Sequence, residues 1–86
     1  MGWFVYVVRC KTGELYTGCT NDVPRRLEAH KKGVASKFTR SRLPVTLVHR
    51  ERCANRSSAL IREAEIKGMS RNEKLALIRG QTKRSV

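Results

Sequence analysis

The first apolar block, Trp3-Phe4-Val5-Tyr6-Val7-Val8, is aromatic or β-branched at every position, so neither alternating face is polar. A strand covered on one side alternates; this one predicts a strand buried on both sides. Lys11-Thr12-Gly13 reads as a turn, and Glu14-Leu15-Tyr16-Thr17 can return antiparallel, giving a hairpin over residues 3–17 that Gly18 ends. Asn21 or Asp22 can then cap a helix that tolerates Pro24 in its first turn, runs to about Lys32 and stops at Gly33. Residues 34–43 are small, polar and basic, the composition of a loop. Val45-Thr46-Leu47-Val48 predicts a third strand. Ser57 or Ser58 opens a helix reaching about Lys67, and Ser70-Arg71-Asn72-Glu73 has capping-box spacing at the head of a last helix through Ile78. The expected fold is α+β, a small three-stranded antiparallel sheet flanked by helices. It forms one domain over residues 1–80, with a mobile basic tail at 81–86 that carries Lys83 and Arg84.

One helix breaks its own pattern. At 100° per residue, Ala59, Leu60, Ile61, Ala64 and Ile66 make a broad apolar stripe, and Glu63 and Lys67 fall inside it. Glu65 lies at the margin. A carboxylate on the core side must be paired, hydrogen-bonded or bound to a cation, so a Glu63–Lys67 pair and a ligand role both remain open. On the first helix Arg26 and His30 are one turn apart and share a face. The plain alternatives are a surface charge for Arg26 and, for His30, a cation favoured by the helix C-terminus. Tyr6 and Tyr16 come near each other in the hairpin, although a strand tyrosine is ordinarily core.

Charge changes the picture further. The 86 residues include 19 Lys and Arg against 7 Asp and Glu, a net charge of +12. From Pro24 to Arg56 stand ten basic residues (Arg25, Arg26, Lys31, Lys32, Lys37, Arg40, Arg42, Arg50, Arg52 and Arg56) with only Glu28 and Glu51, a net +8. A polyanion is the leading partner, because each neutralised phosphate releases a condensed counterion. No helix-turn-helix, zinc finger or RNP aromatic pattern is present to read bases, so binding should be electrostatic and weakly sequence-selective. The longest apolar run is six residues, too short for a membrane span of about 20. Cys10, Cys19 and Cys53 are odd in number and lack CxxC spacing, which suits a reducing cytoplasm. With only His30 and His49 as histidines, no closed Cys/His zinc site can be written.

Phe4-Val5-Tyr6, then Tyr16-Thr17-Gly18, then Arg26 and His30, then Glu63 within Arg-Glu-Ala-Glu-Ile-Lys, resembles the GIY-YIG nuclease domain. The likeness covers about Trp3 to Ile78 and is nearest the small stand-alone, YhbQ-like members. Each tripeptide is degenerate; the ordered set of five is specific. The resemblance implies hydrolysis of DNA phosphodiesters with one divalent ion, Mg²⁺ or Mn²⁺, endonucleolytic and linked to repair or recombination. It implies Glu63 as metal ligand, Tyr6 as general base for water, Arg26 on the scissile phosphate, Tyr16 and His30 positioning water or phosphate, and His30 as a proton relay. Gly18 would allow close backbone approach, and Arg25, Lys31, Lys32, Lys37, Arg40 and Arg42 would hold the phosphate backbone. Phe4, Val5 and Thr17 depart from the tripeptides' glycine and isoleucines, and no match to the asparagine that follows the glutamate helix in many relatives is assigned.

The residue types suit that chemistry. Attack on an anionic phosphodiester needs its developing charge neutralised, which a guanidinium and a cation can do. Tyrosine, with an ordinary pKa of about 10, needs a nearby positive charge to act as a base at neutral pH. The competing function is a nucleic-acid-binding module, on DNA or RNA, that kept the fold without turnover. A third is a basic protein-interaction adaptor. So short a chain leaves a partner protein or a dimer to supply substrate selectivity.

Overall fold

A computed structural model describes residues 2–80. Its elements are β1 (Trp3–Cys10), β2 (Leu15–Thr20), α1 (Val23–Lys31), α2 (Lys37–Arg40), β3 (Val45–Cys53), α3 (Arg56–Lys67) and α4 (Arg71–Ile78). The strands form one antiparallel sheet in the order β2-β1-β3. The unbroken apolar block is therefore the central strand, and it is buried on both faces. Val5 and Val7 pack with Ala59, Ile66 and Leu77 beneath α3 and α4. Tyr6, Val8 and Cys10 pack with Val45, Leu27 and Leu43 on the side of α1. The basic tail expected at 81–86 lies outside the described residues.

The caps fall where short polar side chains can reach orphan amides. Asp22 accepts from Arg25 N–H at α1, Pro24 sits in the first turn, and Gly33 leaves the helix at φ 78°. Ser70 and Glu73 form the expected capping box at α4. At α3 the cap is Asn55, with Ser58 completing the box from inside the first turn, so the helix begins earlier than expected. Two further departures have tertiary causes. The loop at 34–43 contains α2, a single turn capped by Ser36. The third strand runs on to Cys53, because a register shift opposite Val7 and Val8 puts Val45 and Leu47 under α1 while Arg50 and Arg52 emerge on the exposed end of the same face. Leu60 and Ile61, expected in the core, are 43 % and 63 % exposed; Ala59 and Ile66 carry the buried stripe.

Gly18 does not end the hairpin. It lies inside β2, directly opposite Tyr6, and a Cβ built there would stand 2.6 Å from the Tyr6 hydroxyl oxygen. The missing side chain is the space that the phenol occupies. Gly18→Ala should force that buried ring out of its position at a cost of about 1–3 kcal/mol. The reading is a lower urea midpoint at unchanged slope, and a midpoint equal to wild type would show that Tyr6 has room to move.

Candidate active site

Residues from four elements meet over β1. Tyr6 is 1 % exposed and His30 and Thr39 are fully buried, among the few polar groups the core admits. The Tyr6 hydroxyl lies 3.0 Å from His30 Nε2, and Arg26 Nε donates to the same oxygen at 3.4 Å. His30 Nδ1 lies 2.8 Å from the Thr39 hydroxyl, and Arg26 Nη2 donates to the Ala35 carbonyl at 3.3 Å. Both aromatic rings meet the imidazole edge-on, Tyr6 at 5.8 Å and Tyr16 at 5.4 Å between centroids. Arg26 and His30 reach Tyr6 together because they are i and i+4 on α1.

The electrostatics follow from burial. The Tyr6 hydroxyl is pushed above its ordinary pKa by burial, and the Arg26 hydrogen bond and charge recover only part of the shift. Burial, reinforced by Arg26, depresses the His30 pKa, so the imidazole is neutral rather than the cation that its place near the helix C-terminus suggested. Arg26 is held charged, first by its bond to Tyr6.

Glu63 approaches from the other layer. It is the carboxylate that α3 turns inward, its side chain 16 % exposed against 57 % for Glu65, which pairs with Arg62. Lys67 Nζ stands 2.8 Å from it, so the inward orientation and the i,i+4 pair are both real. Glu63 lies beside Cys19 on the edge strand β2, where burial first and this carboxylate second push the thiol up to about 11. Its charge reaches the Tyr6 hydroxyl as well, and that of Lys67 reaches Tyr16. The acid thus stands at the β2 edge, beside Cys19.

The basic residues separate into groups. Arg25 lines a cavity of about 370 Å³ with Arg26, Thr20 and Asp22, and Lys37 and Arg40 line another of about 400 Å³ beside Ala35 and Ser36. Lys31 and Lys32 are exposed at the far end of α1. Arg42 is already engaged: its guanidinium lies 3.9 Å over Phe38, donates to the Phe38 carbonyl and pairs with Glu14. Arg50 and Arg52 are exposed, and their register with Tyr6 and Phe4 puts them on the face that holds the tyrosine cluster. They counted in the basic segment, but only the strand register gives them a face. Thr39 was missed outright, since nothing in a short polar stretch marks one threonine as the partner of a histidine nine residues earlier.

Among the described residues no three His, Cys, Asp or Glu side chains cluster closely enough to hold a metal ion by themselves, and no helix is long and apolar enough to cross a membrane. A lone carboxylate fits a hard ion that keeps most of its waters and shares a substrate phosphate, which is how Mg²⁺ is commonly held. Glu63 would hold it, once freed from Lys67.

A three-stranded antiparallel sheet with a Tyr–His–Arg cluster on one face and an inward acid at its edge defines a small α+β domain. The GIY-YIG catalytic domain matches residues 2–76, and the chain belongs to that nuclease family. It is 45 % identical over 82 residues to a UPF0213 protein of Desulfotalea psychrophila, covering 94 % of this chain and 74 % of that one. To a UPF0213 protein of Staphylococcus aureus it is 49 % identical over 76 residues, covering 88 % and 93 %. The solution structure of a Bacillus halodurans UPF0213 protein matches with TM-score 0.61 at 38 % identity, covering 94 % of this chain and 86 % of that one. An E. faecalis protein solved by NMR matches at 0.64 and 29 %, covering 100 % and 93 %. GIY-YIG nucleases bind DNA and typically use a divalent metal.

The depressed His30 pKa has a definite sign. The unfolded imidazole titrates near pH 6.5 and the native one below that, so the stability due to the neutral form is fully present above about 6.5. It should fall as pH drops from there toward the native pKa. Urea denaturation between pH 7.5 and 5.5 should show that loss in wild type, and His30→Gln should flatten it; parallel curves would place the titration elsewhere.

Proposed function

We propose that this protein is a divalent-metal-dependent nuclease that hydrolyses phosphodiester bonds within DNA, in repair or recombination. The observation that carries the reading is the buried contact of Tyr6 with both Arg26 and His30, beside an acid turned inward from another layer. A phenol packed only as core needs one hydrogen-bond partner, not a guanidinium and an imidazole together. Tyr6 acts as the base for the attacking water, with His30 receiving its proton. Arg26 moves onto the scissile phosphate; its 3.4 Å bond to Tyr6 is long, and a guanidinium exchanges such a neutral acceptor readily for an anionic oxygen. Tyr16, less buried than Tyr6, positions water or phosphate from beside the imidazole.

Glu63 is the ligand for Mg²⁺ or Mn²⁺, which when bound supplies positive charge to the transition state. Lys67 neutralises the acid in the free protein. Arg25, Lys31, Lys32, Lys37 and Arg40 hold the strand through its phosphates, joined by Arg50 and Arg52 on β3. Residues 1–80 act as one unit, in the cytoplasm.

The second reading is a nucleic-acid-binding module without turnover, and two observations favour it: Tyr6 is 1 % exposed and Glu63 is closed by Lys67. Metal-dependent cleavage separates the two. Purified protein should nick DNA with Mg²⁺ or Mn²⁺, stop on chelation, and lose about 100-fold or more in Glu63→Ala and Tyr6→Phe. Equal nicking by wild type and both variants would mark a contaminant and end the idea. Under either reading, Arg50→Gln and Arg52→Gln should each lower the slope of log binding constant against log salt by about 1; an unchanged slope removes them from the DNA path.

A further inference from the structure

Thr39 is fully buried on α2, the one-turn helix inside the segment whose composition suggested a loop. Its hydroxyl touches the imidazole 2.8 Å away at Nδ1 and the Ser36 carbonyl at 3.4 Å. A buried hydroxyl or ring nitrogen without a partner costs roughly 1–3 kcal/mol, so each proton in this cluster should have a destination. Only one assignment supplies them all. A guanidinium only donates, so the Tyr6 oxygen accepts from Arg26 Nε. The single Tyr6 proton then goes to His30 Nε2, the remaining His30 proton sits on Nδ1 and goes to Thr39, and the Thr39 proton goes to the Ser36 carbonyl. With the imidazole reversed, Nε2–H would meet an oxygen that already accepts from Arg26. The phenol proton would then face two donors.

We propose that Thr39 is a positioning residue: it accepts the Nδ1 proton of His30 and thereby fixes the tautomer whose bare Nε2 faces the Tyr6 hydroxyl. The role rests on the reading of Tyr6 as the base. In the step it prepares, the Tyr6 O–H bond breaks and an N–H bond forms at His30 Nε2, leaving a phenolate and an imidazolium. Thr39 keeps its hydrogen bond to Nδ1 throughout, so the imidazole gains charge without turning. The same short segment is held at its other end by Arg26, through the Ala35 carbonyl. Residues 35–39 therefore fix the orientation of both partners of the phenol.

The test begins with the wild-type chain, its histidine rings labelled with ¹⁵N. Two-dimensional NMR should show His30 protonated at Nδ1 and bare at Nε2; the opposite tautomer overturns the proposal whatever the activity. Thr39→Val keeps shape and removes the acceptor. It should shift the His30 ring nitrogens toward the other tautomer and lower kcat for Mn²⁺-supported DNA nicking by about 10-fold or more with KM for DNA little changed. Thr39→Ser should restore both. A valine variant with wild-type ring nitrogens and wild-type kcat also overturns the proposal. If valine prevents folding, the wild-type tautomer and the serine variant still decide. Wild type that shows the Nδ1–H form yet cleaves nothing would end the nuclease reading and leave the Thr39 lock standing.

Discussion

The site takes its polarity from a guanidinium that can only donate. Arg26 gives its Nε–H to the Tyr6 oxygen, and every proton beyond it then has one direction to run, through the imidazole to Thr39 and the backbone of Ser36. The cluster is buried in an otherwise largely apolar core, where an unmatched polar atom is costly and mutual polarisation strengthens the bonds that do form. Four side chains on three elements are thereby held to one arrangement. Burial keeps Tyr6 protonated and His30 neutral in the free protein, so the base is stored in its uncharged form until charge at the site changes.

The sheet supplies the rest of the geometry. A central strand buried on both faces allows one layer, α1 with α2, to hold the phenol cluster while the other, α3 with α4, brings an acid toward the edge strand. Gly18 connects the two layers. Because it has no side chain, Tyr6 can lie against β2, the strand whose next residue, Cys19, stands beside Glu63. The bulge opposite Val7 and Val8 has a matching effect on the far side. It lets one strand present apolar residues to α1 and arginines to the same face further along.

Much of this was legible from local chemistry. The caps at Asp22 and Ser70 could be named from a short polar side chain three residues from its amide, the one at Asn55 was misplaced by two or three residues, and the one at Ser36 was hidden in a stretch read as loop. The six-residue apolar block identified the buried strand, since no polar position was available to face water. Glu63 stood out because a charge inside an apolar stripe has to be answered, and Lys67 answers it in the free protein. The misses share one cause. Leu60 and Ile61 read as core by helical phase, yet the sheet meets only the narrower stripe of Ala59 and Ile66. The third strand was read only as far as Val48, and it continues to Cys53 with its charged residues where the end of that sheet face is open.

Taken alone, the sequence determined the three strands, three of the four helices, the caps at Asp22 and Ser70, the double-sided burial of β1, the basic surplus and the ordered set of Tyr6, Tyr16, Arg26, His30 and Glu63. Those properties depend on neighbours within a few residues or on sums over the chain. Tertiary structure alone decided that Gly18 makes room for a phenol, that Thr39 faces His30, that the imidazole is neutral, and that Arg50 and Arg52 share the face of Tyr6. Each of these depends on which atoms from distant segments meet, and on whether water is excluded where they do.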